Sequence, residues 1–149
     1  MGIYEQLRFG ERIDSANQAL LSIPEEQSSR TLREGGWSRK EILGHLIDSA
    51  LNNHQRFVRA ALDGAYEGPS YSQSDWVSIH GYGSISWPNL LEHWRLQNLL
   101  LGEVISRIPE PRLDAPCRVG NNSPVTLRFL IEDYLGHLDH HLEQILKIA

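Results

Sequence analysis

Three of the seven histidines of this chain lie close together near its end, at His137, His140 and His141. On a helix, successive residues are about 100° apart, so residues four apart share a face. His141 falls among the apolar residues of this segment and His137 at their edge, whereas His140 falls among polar ones. Imidazoles at this spacing can bind one metal ion. This spacing is a weak pattern, and by itself it more often indicates two partly buried histidines with ordinary hydrogen-bond partners.

A catalytic site for zinc or a similar ion needs a third protein ligand and an open coordination position. His54 lies in the middle of the apolar face of its predicted helix, so we expect it to pack in the core or at a subunit contact. His80 lies in a long connection and His93 beside a glutamate, which makes both weaker candidates. His45 lies on a polar stripe with Glu41, Asp48, Ser49, Asn52 and Arg56. Such a stripe is usually solvated, and the alternative is that it lines a polar cleft with His45 as the third ligand.

Four segments with helical periodicity predict the elements that position these histidines. The first covers about residues 3–22, and the second runs from a capping box at Ser38 and Glu41 to about Leu62. The third covers residues 87–108 and ends before a proline, and the last begins at a Ser-Pro cap at 123–124 and runs almost to the end. We therefore expect an all-α fold, a four-helix bundle, as a single domain over residues 1–149.

The connection between the second and third predicted helices, residues 63–86, is far longer than the usual 2–8 residues or so. It predicts a long crossover that can span the bundle, with one short helical turn near residues 74–77. Among its aromatic residues, Tyr71 and Trp76 are the candidates for a lid over a pocket. The next connection, residues 109–122, contains Cys117, which we expect to be a small packed residue and not a nucleophile.

Composition argues against several classes of protein. The net charge of −5 and the scattered basic residues argue against a nucleic-acid partner. No run of about 18 apolar residues is present, so no membrane span is expected. A single cysteine excludes an intrachain disulfide framework, and the first residues lack a signal-peptide pattern. A cytoplasmic location is the resulting expectation.

Two stretches together resemble a known family: W-S-R-K-E-I-L-G-H-L at 37–46 and D-Y-L-G-H-L-D-H-H-L-E-Q-I at 133–145. They resemble the DinB/YfiT-like superfamily of metalloenzymes. The stretches at 45–57 and 71–77 are similar to the branch described as DinB-like metal-dependent hydrolases. The resemblance implies a four-helix bundle, commonly a homodimer, that binds a divalent metal through one histidine of the second helix and two of the last. Carried over by position, these ligands are His45, His137 and His141.

If the resemblance holds, the polar stripe of the second helix becomes one wall of the metal cleft. Asp48 is then the candidate general base. Asn52, Arg56, Tyr71 and Trp76 are candidates for orienting the ligands or a small-molecule substrate. Imidazole suits several metals, and we expect Zn²⁺ or Ni²⁺, with iron or manganese as alternatives.

Three hypotheses for the function follow from such a site. Three neutral ligands leave the charge of the ion undiminished, and water at an open position then ionises near pH 7, which favours hydrolysis of a small substrate. The open position also suits a thiolate, and some relatives resemble transferases that use low-molecular-weight thiols. The third hypothesis is a non-catalytic dimer that binds a metal or small ligand. The chain has neither Glu-x-x-His pairs nor H-E-x-x-H, which argues against di-iron bundles and zincins.

Overall fold

The computed structural model describes residues 1–147, and its main feature is a bundle of four long helices. In chain order the helices are α1 (Ile3–Gln6), α2 (Phe9–Leu21), α3 (Glu25–Ser28), α4 (Arg39–Asp63), α5 (Gln73–His80), α6 (Trp87–Arg107) and α7 (Leu127–Leu146). The strands are β1 (Tyr66–Gly68), β2 (Pro116–Val119) and β3 (Val125–Thr126), and 3₁₀ turns lie at Tyr82–Ser84 and Glu110–Asp114. The predicted all-α four-helix bundle is confirmed, with α2, α4, α6 and α7 as its helices.

The core lies among the four long helices: α4 packs against α6 and α7, and α2 packs against α6 and, less extensively, against α7. Its largest fully buried side chains include Trp94, Phe57, Leu43 and Leu101. Each such side chain contributes about 1.5–3 kcal/mol when it leaves water. No helix within residues 1–147 combines the length and the apolar character needed to cross a membrane.

The start of α4 is determined locally by the predicted capping box. The Glu41 amide donates to the Ser38 hydroxyl at 3.2 Å, and the Ser38 amide donates to the Glu41 carboxylate at 3.0 Å. The helix ends at Gly64, whose φ of 81° is the left-handed conformation that glycine adopts without strain. The helix that carries His45 is therefore held at both ends by short-range interactions.

Two predicted helices differ from the structure, one by an internal break and one by its first residue, and tertiary contacts explain both. The first predicted helix is broken at Arg8, whose φ of 52° lets α1 and the Phe9 side chain both pack against α6. The last helix begins at Leu127 and not at the Ser-Pro pair 123–124, because Val125 pairs with Cys117 in the sheet. Thr126 is the N-cap instead, and its hydroxyl accepts a hydrogen bond from the Phe129 amide at 3.0 Å.

A small three-stranded sheet joins the two long connections, which the sequence did not predict. Strands β1 and β2 are parallel, with Tyr66 opposite Cys117, and β2 and β3 are antiparallel, with Cys117 opposite Val125. Cys117 therefore lies on a strand and not in an irregular loop, and it is fully buried. The connection 63–86 holds β1, the 3₁₀ turn at 82–84 and α5, which is longer than the expected turn at 74–77.

The close approach of α4 to Tyr82 gives a test of the packing. A Cβ atom at Gly44 would lie 2.0 Å from the Tyr82 ring, whereas a Cβ atom at Gly136, on α7, would meet nothing within 4 Å. We expect Gly44→Ala to lower the free energy of unfolding by about 1–3 kcal/mol through overpacking. Gly136→Ala, the matched control, should raise it by about 0.5–1 kcal/mol. Urea unfolding of the metal-free proteins measures both, and equal midpoints for the two variants would contradict this packing.

Candidate metal centre

Three imidazoles from two helices converge at one point of the bundle. His45 comes from α4, and His137 and His141 come from successive turns of α7. One ring nitrogen from each of the three lies within 4.8 Å of the others. The Nε2 atoms of His45 and His137 are 3.0 Å apart, and the ring centroids are 4.5–4.9 Å apart. Within residues 1–147 this is the one group of three potential metal ligands at such distances.

Most of the polar stripe of α4 is buried and the remainder, Glu41 and Asn52, is half-buried, so the interpretation of this stripe as a solvated surface is wrong. The side chains of His45 and Asp48 have 0% exposure. The connection 63–86 covers Asp48, because its α5 and its 3₁₀ turn at 82–84 pack against α4 there. The Tyr82 hydroxyl donates a hydrogen bond to the Asp48 carboxylate and so covers this part of the stripe. The helix periodicity could not reveal this cover, because it comes from residues about 35 positions further along the chain. His45 is covered instead by Trp37 and by the two histidines of α7.

Burial keeps the three imidazoles uncharged. Desolvation lowers the pKa of His45 to about 4, and the proximity of His137 and His141 lowers it further in the same direction. Desolvation likewise lowers the pKa of His137 to about 4, and it lowers the pKa of His141. A neutral imidazole is the form that binds a metal ion, so the cluster is in its ligating form at neutral pH.

The hydrogen bonds of the cluster fit a metal ion. His141 Nδ1 lies 2.7 Å from the amide oxygen of Gln144. A proton on Nδ1 makes this contact a hydrogen bond and leaves the lone pair of Nε2 free for a metal ion. The facing Nε2 atoms of His45 and His137 are at a separation that two bonds of about 2.0–2.1 Å to one ion can span. His45 Nδ1 is buried and has no hydrogen-bond partner among residues 1–147. The donor set and its protonation therefore suit a divalent cation.

The other histidines lie outside the cluster. The His140 side chain is exposed, as its helical phase predicts, although its ring lies 5.1 Å from that of His141. His54 is half-buried, in keeping with the expectation of a packed histidine, and His93 is exposed. His80 contacts Asp48 instead, with its Nδ1 3.0 Å from the carboxylate.

Asp48 lies one turn after His45 on α4 and forms a separate polar network with Tyr82 and His80. Its Oδ1 accepts a hydrogen bond from the Tyr82 hydroxyl at 2.5 Å, while its Oδ2 is buried without a partner among the described residues. Desolvation raises the pKa of Asp48, and the hydrogen bond from Tyr82 opposes that rise. The Asn52 side chain donates to the backbone carbonyl of Asp48, one turn earlier on the same helix, at 2.9 Å. Sequence reasoning missed Tyr82 as a partner of Asp48, and no spacing signal connects the two.

Two cavities adjoin the histidine cluster. One of about 710 Å³ is lined by His141, Gln144 and Trp37, and the Trp37 ring lies 5.2 Å from that of His45. The other, of about 400 Å³, is lined by His137 and, among others, by Arg56, Tyr71, Ser49, Asn53, Cys117 and Asp133. Tyr71 thus lines a cavity as a lid residue would. Trp76 packs against Tyr71, with ring centroids 5.3 Å apart, and lines neither cavity.

A helical bundle in which three neutral histidines converge makes this protein a candidate metalloprotein. Comparison with known families supports this classification. The DinB superfamily model matches residues 8–145, so this chain belongs to the DinB superfamily. The resemblance noted in the sequence is confirmed. The chain is 28% identical over 142 residues to a protein of Oceanobacillus iheyensis described as a proposed metal-dependent hydrolase, covering 95% of this chain and 77% of that one.

Two solved structures share the fold. YfiT from Bacillus subtilis, described as a proposed metal-dependent hydrolase with an unusual four-helix bundle topology, superposes with a TM-score of 0.82 at 15% identity. The match covers 97% of this chain and 86% of YfiT. A variant of the mycothiol-dependent maleylpyruvate isomerase superposes with a TM-score of 0.79 at 14% identity, over 100% of this chain and 62% of that one. At these identities the likeness concerns the fold alone.

Proposed function

We propose that this protein is a metal-dependent hydrolase of a small substrate, with His45, His137 and His141 as the ligands of one divalent ion. The observation that carries the proposal is the convergence of three buried or half-buried imidazoles, held neutral by desolvation. The description of the Oceanobacillus relative as a metal-dependent hydrolase supports the same reaction class. A divalent ion with three neutral ligands would supply water that ionises near pH 7.

The residues around the cluster then have distinct roles. Gln144 holds the His141 ring in the tautomer that presents Nε2. Asp48 is the proposed proton acceptor, because its Oδ2 has no hydrogen-bond partner among residues 1–147 while Tyr82 and His80 hold its Oδ1 in place. Arg56 and Tyr71 line the cavity beside His137 and would orient the substrate. Trp76 would act indirectly by supporting Tyr71, and Asn52 by stabilising its helix turn.

Thiol transfer is the second candidate, and the two cavities favour it. Direct transfer, in which both substrates are bound at once, needs two binding spaces at one centre, and separate cavities adjoin His141 and His137. The mycothiol dependence of the isomerase with the same fold is in keeping with this alternative. Zn²⁺ or Ni²⁺ is the proposed metal for either reaction, with iron or manganese as alternatives, since imidazole ligands bind all of these ions. A homodimer and a cytoplasmic location stay predictions.

Activity assays on metal-loaded protein separate these functions. We expect hydrolysis of at least one member of a panel of small esters and amides, lost after chelation and in His141→Ala, and retained in the exposed control His140→Ala. Turnover that requires both a low-molecular-weight thiol and an electrophile would instead support transfer. If neither reaction depends on metal, both enzymatic proposals fail and a non-catalytic binding protein is favoured.

A further inference from the structure

A buried guanidinium that has no charged partner among residues 1–147 lies near the candidate metal centre. Arg56, on α4, is only 8% exposed. One of its nitrogens donates to the backbone carbonyl of Pro69 at a long 3.4 Å, and the guanidinium lies 5.9 Å from the centre of the Tyr71 ring. Both contacts are with uncharged groups. Removing a charge from water is costly, so a buried charge is normally paired. The arrangement therefore calls for an anion that the described part of the chain does not provide.

The cavity of about 400 Å³ is the place where such an anion would lie. Arg56 lines it together with the polar side chains of Ser49 and Asn53, and the same cavity reaches His137 of the histidine cluster. Ser49 and Asn53 are themselves buried. The volume is in the range of sites for small organic molecules. One molecule can therefore contact the guanidinium at one end and approach the cluster at the other.

The charges around this cavity select the kind of anion. Arg56 is the one arginine or lysine among the lining residues, and Asp133, exposed, is the one acid. A single guanidinium balances one negative charge, and its planar donors match the two oxygens of a carboxylate. A phosphate dianion would carry a second, unbalanced charge into a cavity that already includes Asp133.

We infer that this cavity binds the carboxylate of a small organic acid through Arg56, with the rest of the acid directed towards His137. The placement of the reactive group of the acid near His137 rests on the proposed function, whereas the binding of its carboxylate by Arg56 does not. Carboxylate recognition itself needs no metal. The substrate class is then a small monocarboxylic acid whose reactive group lies a short distance from its carboxylate.

The test uses phenylacetate as the probe and phenylacetamide as its uncharged counterpart. Both are titrated into the full-length metal-free protein and followed by ¹H–¹⁵N correlation spectra, so that no metal can bind the carboxylate. We expect phenylacetate to bind at least about tenfold more tightly than the amide, the usual advantage of a charge-assisted hydrogen bond. Equal affinities of the acid and the amide in wild-type protein would overturn the inference, whatever any variant does.

Matched variants identify the anchor. Arg56→Gln should weaken phenylacetate binding by about tenfold or more and leave phenylacetamide unchanged. Arg59→Gln, three residues further along α4, alters an exposed arginine bonded to Gln55 and should change neither affinity. An unchanged affinity in Arg56→Gln, or tighter binding of methyl phosphate than of phenylacetate, would also overturn the inference. Turnover is not measured, so failure of the hydrolase proposal leaves this result intact, and the reverse also holds.

Discussion

His141→Ala is expected to weaken metal binding at least about 100-fold, whereas His140→Ala is expected to leave it unchanged. The two residues are adjacent on α7 and chemically identical, but only His141 offers a nitrogen to the cluster. Loss of a group that merely orients a ligand costs about 10–100-fold in affinity, so loss of a ligand should cost more. His141 is also only half-buried, so its removal leaves the core of the bundle intact.

Metal content after dialysis and competition with a chromophoric chelator measure this difference. His45→Ala should lose metal as well, and its urea unfolding must be followed in parallel because His45 is fully buried. The Gln144→Ala variant is expected to show a smaller loss of about 10–100-fold, since Gln144 only orients His141. Equal metal loss in His140→Ala and His141→Ala would refute the three-histidine assignment.

Metal affinity should depend little on pH between 7.5 and 5.5, which is the second large expected effect. Three imidazoles with the ordinary pKa of 6.5 would together lose about 1,000-fold in ligating form over this interval, about tenfold each. Burial lowers the pKa of both His45 and His137 to about 4, so protons do not compete for them in this range. Only His141 can then contribute, and the loss should be at most about tenfold.

The same shifts determine how the metal-free protein responds to acid. The folded pKa values of His45 and His137 lie below the unfolded value, so between about pH 6.5 and 4 the unfolded chain binds more protons. Stability should therefore fall as the pH is lowered through this window, and His137→Gln should make the fall shallower. Chelator competition and urea midpoints measured at several pH values check both effects. A loss of metal affinity approaching 1,000-fold would show that these imidazoles are hydrated.

The two predictions bear on different parts of the site. The histidine variants test which side chains hold the ion, and the pH profile tests whether the imidazoles of His45 and His137 are shielded from water. A protein that passes the first test and fails the second would have the proposed ligands in an open cleft. Its activated water would then compete with bulk solvent, and enclosure of a substrate would need a conformational change.

Local sequence determined most of the helical framework and the direction of the α7 histidines. The capping box at Ser38 and Glu41 and the apolar periodicity of α4 and α7 involve residues within a few turns of one another, so their pattern is visible in the chain. The phase that separated His137 and His141 from His140 is a property of a single helix. Only the resemblance to the DinB family, and not helix geometry, implied that His45 faces them.

Only the tertiary structure decided what surrounds these residues. Whether a polar stripe is solvated depends on what packs over it, and the cover of α4 comes from Tyr82 and His80 in a distant connection. The break at Arg8 and the pairing of Val125 with Cys117 likewise depend on partners far along the chain. Periodicity reports which face of a helix is apolar, but desolvation arises only when separate segments exclude water together. The neutrality of the histidines and the burial of the Arg56 charge therefore depend on the tertiary structure.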